Sequence, residues 1–155
     1  MASGTATRGV EEIRTALNTC YSAVEALCAD LTEAQWQVQS LCPEWTVRGV
    51  IDHLNSVEAV LAGWLPEDAA AIPPFERAGE FLAQAASLHG DQYLDKVRAV
   101  YASRQRDLDA LSQGDVERPS WTPVGPGTYG KFLAIRVFDF WVHVRDMTTP
   151  LGLST

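Results

Sequence analysis

Asp139 and His143 stand four residues apart in an otherwise strongly apolar segment, Arg136-Val-Phe-Asp-Phe-Trp-Val-His143. Four residues is just over one helical turn, so both side chains project from one face and can grip a single ion together. His53 lies in a second apolar helical pattern, Val47 to Leu54. From a facing helix it would complete a set of two histidines and one carboxylate, with positions left open for reaction. Burying two imidazoles and a carboxylate without partners is costly. A divalent cation removes that cost, holding the carboxylate ionised and the imidazoles neutral.

Arg136, Asp139, His143 and Asp146 recur at helical spacing as one polar stripe on this apolar rod. The plainer alternative is a stripe that faces water, with His53 a satisfied core residue, and the sequence leaves both open. Glu58 falls near the centre of its helix's apolar face. There it supports a ligand, reaches a substrate, or forms a salt bridge with Arg136 or Arg98. Asp146 orients a ligand histidine or balances charge near the helix end. His89, next to Gly90, reads as a surface loop residue, and Arg98, Arg104 and Arg106 as a solvated helix face.

Four long helices must position these residues, and no strand is predicted. The first spans about Arg8 to Ala29, with Val10, Ile13, Leu17, Cys20, Tyr21, Val24 and Leu27 as its apolar stripe. Thr32 and Gln35 form a capping box for a short helix that ends at Cys42-Pro43. Thr46 caps the second long helix, which is expected to reach Leu65. Proline interrupts Leu65 to Phe75, and a helical turn or more follows before His89-Gly90. The third long helix covers Asp91 to about Ser112. Gln113 to Gly127, rich in Gly and Pro around Trp121, reads as a loop, and the fourth helix runs from Thr128 to about Met147. This pattern is all-α: a four-helix bundle with one long crossover between its second and third helices.

The 155 residues suffice for one domain with a real core, read here as residues 1–155. A net charge of −8 argues against nucleic acid or an anionic membrane surface as partner. No apolar run approaches the roughly 20 residues of a membrane span. Met1 to Arg8 is polar and small, which predicts no secretory signal. Three cysteines without a CxxC spacing predict reduced thiols and a cytoplasmic location. Cys20 and Cys28 read as small core residues. Cys42 sits in a turn with no basic neighbour to lower its pKa.

Cys42 to Leu54, CPEWTVRGVIDHL, resembles the signature CPGWTVRDVVAHL of the maleylpyruvate isomerase N-terminal domain. Arg136 to Met147 is similar to that family's second signature, an acidic residue, three residues, histidine, then aspartate. The family belongs to the DinB-like superfamily of four-helix metalloenzymes with one crossover. The resemblance implies a divalent metal, typically zinc, held by His53, Asp139 and His143. It also implies a low-molecular-weight thiol cosubstrate, usually mycothiol in actinobacteria, whose sulfur binds the metal. Trp121 and its loop would then shape the mouth of the site. Two departures stand out. The family usually carries Glu where this chain has Asp139, and its fuller members carry a further C-terminal domain.

The expected function is metal-dependent isomerisation or thiol transfer on a small electrophilic organic molecule. Glu58, Arg136 and Asp146 are the candidates for supporting roles. Two alternatives stay open: a non-catalytic bundle that binds a small ligand or partner, and a hydrolase using metal-bound water. A homodimer through a helix face is also compatible with the sequence.

Overall fold

The computed structural model describes residues 9–153. The expected helix start at Arg8 and the polar segment Met1 to Arg8 lie outside the described residues. Among the described residues seven α-helices follow one another: α1 (Val10–Asp30), α2 (Glu33–Trp36), α3 (Val47–Leu61), α4 (Ala78–Ala85), α5 (Gly90–Ala110), α6 (Gln113–Glu117) and α7 (Tyr129–Leu151). The four long ones, α1, α3, α5 and α7, form the bundle. Helix α1 packs on α5 and α7, and α3 packs on the same two, so α1 and α3 occupy opposite corners. The segment between α3 and α5, with α4 laid against α3, is the long crossover.

The caps at Thr32 and Thr46 are those the sequence predicts, and a further one stands at Thr128. Thr32 and Gln35 close a capping box, Thr46 accepts from the Gly49 amide, and Thr128 accepts from the Lys131 amide. The core is a continuous apolar cluster that includes Ile13, Leu17, Val24, Val50, Leu54, Val97, Leu108, Leu133 and Phe140. Its centre holds a stack of Tyr21 on Tyr101, with Phe140 edge-on to Tyr21. Among the described residues no helix is long and apolar enough to cross a membrane.

Several expectations need correction. Helix α3 stops at Leu61 rather than Leu65, because Gly63 turns the chain at a φ of +75° and leaves Leu65 exposed. Residues 113–127 are not all loop. Ser112 and Asp115 form a capping box that starts α6. Pro119–Ser120 then pairs antiparallel with Gly127–Thr128 in a two-stranded ladder, where no strand is predicted. Helix α7 is also less enclosed than its composition implies, since Phe138 and Trp141 stack on each other at the surface.

Helix α7 continues past Met147 to Leu151 and ends on Gly152 in the left-handed conformation. Pro150 lies in this last turn and has no amide hydrogen, so the Asp146 carbonyl lacks its helical donor. The Leu41 amide takes that place at 3.0 Å. This bond fastens the α2–α3 loop to α7.

Candidate metal centre

The bundle's interior is polar at one level, and each long helix supplies one side chain there. Glu58 of α3 is fully buried. Its carboxylate accepts from the Tyr21 hydroxyl of α1 at 2.5 Å, from Arg104 of α5 at 3.1 Å and from Arg136 of α7 at 2.9 Å. Of the two partners expected for Glu58, Arg136 is found, whereas Arg98 is exposed. Arg104 is the larger correction. Expected on a solvated face with Arg98 and Arg106, it is 1% exposed and bonded to Glu58, Asp107 and the Leu61 carbonyl. Burial pushes the Glu58 carboxyl up, but the two guanidinium groups and Tyr21 outweigh it and hold the group below its ordinary value of 4.5.

Arg136 carries this buried charge outward. Its Nη1 donates to Asp139 Oδ2 at 2.8 Å, one helical turn further along α7. Asp139 Oδ1 then lies 3.3 Å from His143 Nε2, and Oδ2 lies 3.8 Å from His53 Nε2. One ligand atom from each of His53, Asp139 and His143 falls within 4.8 Å of the others. Partial burial pushes the Asp139 carboxyl up, but His143, His53 and Arg136 beside it prevail and keep it well below the carboxylate range. The sequence therefore brings all three expected ligands together.

The fit to a divalent ion follows from these donors. The 3.8 Å from His53 to Asp139 is too long for a hydrogen bond. It is close to the roughly 3.3 Å that two nitrogen or oxygen ligands keep around a common tetrahedral ion. Two imidazoles and one carboxylate, half-buried and joined from two helices, suit zinc or a similar ion with open positions. Arg136 donates to the Asp139 carboxylate and fixes it at the site.

Each histidine ring is also held from behind. His143 Nδ1 lies 3.1 Å from Asp146 Oδ2, the carboxylate–histidine arrangement that leaves Nε2 facing a metal. The hydrogen bond to Asp139 raises the His143 imidazole above its ordinary value despite partial burial, and Asp146 adds to this. The indole of Trp45 lies flat on His53, with ring centroids 4.6 Å apart, and meets His143 edge-on at 6.0 Å. Gly49 makes that stack possible: a Cβ there would stand 2.9 Å from the Trp45 Cβ. The sequence reading missed Trp45, although it sits one residue before the Thr46 cap and faces the first turns of α3.

The other candidates fall elsewhere. Trp121 rests on Phe75 and Phe132, at the start of α7. Phe132 shares a helical face with Asp139 seven residues on, so Trp121 stands along that face about two turns from the ligands. His89 is exposed at the start of α5. Cys28 is buried and Cys20 partly so; burial pushes their thiols up to about 12 and about 11. Cys42 lies behind the His143 ring, on its Nδ1 side, with Sγ 3.2 Å from Asp146 Oδ2 and 3.7 Å from His143 Nδ1.

Comparison with known proteins gives the family and the fold. A family model described as the mycothiol maleylpyruvate isomerase N-terminal domain matches residues 17–148. The crystal structure of the mycothiol-dependent maleylpyruvate isomerase superposes with a TM-score of 0.68 at 20% identity, over 90% of this chain and 61% of that one. A histidine-to-alanine mutant of that isomerase gives the same values. YfiT from Bacillus subtilis, characterised as a probable metal-dependent hydrolase with an unusual four-helix bundle topology, superposes with a TM-score of 0.66. Identity is 16%, over 94% of this chain and 89% of YfiT. These likenesses establish the fold, and the chain spans about three fifths of the isomerase's length. No curated protein matches the sequence.

Proposed function

The chain belongs to the mycothiol maleylpyruvate isomerase N-terminal domain family, and from that we propose that it is a metal-dependent, thiol-using enzyme. Its substrate is a small electrophilic organic molecule, and its reaction is isomerisation or thiol transfer. Residues 1–155 act as one metal-binding domain. The observation that carries this reading is the convergence of His53, Asp139 and His143 on one point.

These three residues would hold the ion, with zinc the first choice for such donors. A bound ion of this kind supplies an acidic position at which a thiol such as mycothiol loses its proton and becomes a nucleophile at neutral pH. The chain's own residues prepare that position. Asp146 keeps the proton of His143 on Nδ1, so Nε2 stays free as a ligand. Arg136 holds Asp139 ionised and aimed, with Glu58 behind it. Trp45 fixes the plane of His53 and shields it from water on one face. The free thiols of Cys20, Cys28 and Cys42 suit a reducing, cytoplasmic setting.

A second reading, metal-assisted hydrolysis by bound water, draws on the likeness to YfiT. The experiment begins with metal content of the purified protein beside a His143→Ala control. Near one equivalent per chain, lost in the variant, is expected. No metal in either protein would sink the proposal. Electrophile turnover with and without added thiol then separates transfer from hydrolysis, since only the first requires the thiol.

A further inference from the structure

We propose that Cys42, Asp146 and the Nδ1 of His143 form a second cation site, for a thiophilic divalent ion of the zinc or cadmium kind. The site shares the His143 ring with the centre above and uses the ring's opposite nitrogen, but it does not depend on His53 or Asp139.

The three donor atoms form a closed triangle. Cys42 Sγ to Asp146 Oδ2 is 3.2 Å, His143 Nδ1 to Asp146 Oδ2 is 3.1 Å, and Cys42 Sγ to His143 Nδ1 is 3.7 Å. In a tetrahedral site with sulfur at about 2.3 Å and nitrogen or oxygen at about 2.0 Å, neighbouring ligands stand roughly 3.3–3.6 Å apart. An ion therefore fits with shifts of a few tenths of an ångström. Thiolate, carboxylate and imidazole form a donor set that a soft divalent cation prefers to calcium or magnesium.

The backbone holds this triangle in place before any ion arrives. The Leu41 amide bonds to the Asp146 carbonyl at 3.0 Å, which brings the residue beside Cys42 onto α7. Ser40, almost fully buried, accepts from the Cys42 amide at 3.0 Å and donates to the Trp45 carbonyl at 2.7 Å. The Gln39 side-chain Nε2 donates to the Cys42 and Trp45 carbonyls, each at 2.9 Å. Cys42 is thus fixed in a tied loop, and little ordering remains to oppose binding.

Occupancy of the site rises with pH. Binding releases two protons to solvent, one from the Cys42 thiol and one from His143 Nδ1. With both sites filled, Cys42, Asp146, Asp139 and the shared imidazolate set four negative charges against two divalent cations. In the absence of an ion the same atoms make hydrogen bonds, with the thiol and Nδ1 both directed at Asp146 Oδ2.

Cadmium is the probe, followed by calorimetry and by the ultraviolet absorption that a thiolate gains on binding it. The wild-type protein should take two equivalents per chain, one of them with thiolate absorption. Cys42→Ser should lose that absorption and that equivalent, while keeping the other. His53→Ala should keep the absorption and lose the other equivalent. A wild-type protein saturated without thiolate absorption, or absorption that persists in Cys42→Ser, would overturn the proposal. A single equivalent bearing the absorption and indifferent to His53→Ala would uphold this site and overturn the reading under Proposed function.

Discussion

Asp139 accepts a hydrogen bond at 2.8 Å from Arg136, whose guanidinium is pinned on its other edge by Glu58 at 2.9 Å. A carboxylate at the candidate metal centre is thereby tied to a buried ion cluster to which every long helix contributes.

Arg136→Gln should expose this dependence. The shorter amide cannot bridge Glu58 and Asp139 together, so the carboxylate loses its aim. Metal affinity should fall by about ten- to a hundredfold, the usual scale for groups that orient ligands. Competition with a chromophoric chelator measures it, and unchanged affinity would rule out the positioning role.

Glu58→Gln should cost about 3–5 kcal/mol, because two buried guanidinium groups lose their counter-charge. The effect carries a pH signature. The Glu58 pKa is depressed on folding below 4.5. Its contribution is therefore complete above the unfolded value and lost as pH falls through the folded one. Urea denaturation at pH 7 should show the full loss. Below about pH 4.5 the gap between wild type and variant should narrow, and a gap that widens in acid would contradict the assignment.

Asp146→Ala should weaken metal at the His53–Asp139–His143 centre by roughly tenfold or more, since His143 Nδ1 loses its acceptor. Asp146→Asn should do less harm, because its amide oxygen still accepts from Nδ1. Equal affinities in the two variants would show that the hydrogen bond does not orient the ring.

Gly49→Ala sets two effects against each other. Alanine favours a helix over glycine by up to about 1 kcal/mol. Its Cβ would meet the Trp45 Cβ at 2.9 Å, and neither atom can rotate away. Overpacking of this sort costs about 1–3 kcal/mol, so the clash prevails. The variant should melt at a lower temperature and bind metal more weakly, as Trp45 is pushed off His53. A higher melting temperature would refute this.

The convergence of His53, Asp139 and His143 was legible because spacing alone puts Asp139 and His143 on one helical face, and because His53 interrupts an apolar pattern on another helix. The four long helices were legible from period and caps for the same local reasons. Arg104 was not. Its burial depends on Glu58, 46 residues earlier on a different helix, and on an exposed-looking stretch rich in Arg and Asp. The ladder between Pro119–Ser120 and Gly127–Thr128 escaped because two-residue strands carry no period. Trp45 escaped because its partner is chosen by the fold of the loop. The Ser112–Asp115 box that starts α6 was readable in principle and was masked by the surrounding Gly and Pro.

The amide that Pro150 lacks works as a keyed socket. The Asp146 carbonyl lacks its helical donor, and Leu41 supplies one from the main chain, so the connection is indifferent to the side chain at position 41. Replacing Pro150 with alanine would bring a helical amide to the same oxygen, which would then be shared with the bond that fastens the loop carrying Cys42. An exposed residue at the tail of the last helix, touching neither histidine, thus leaves open the backbone position that tethers the loop carrying Cys42.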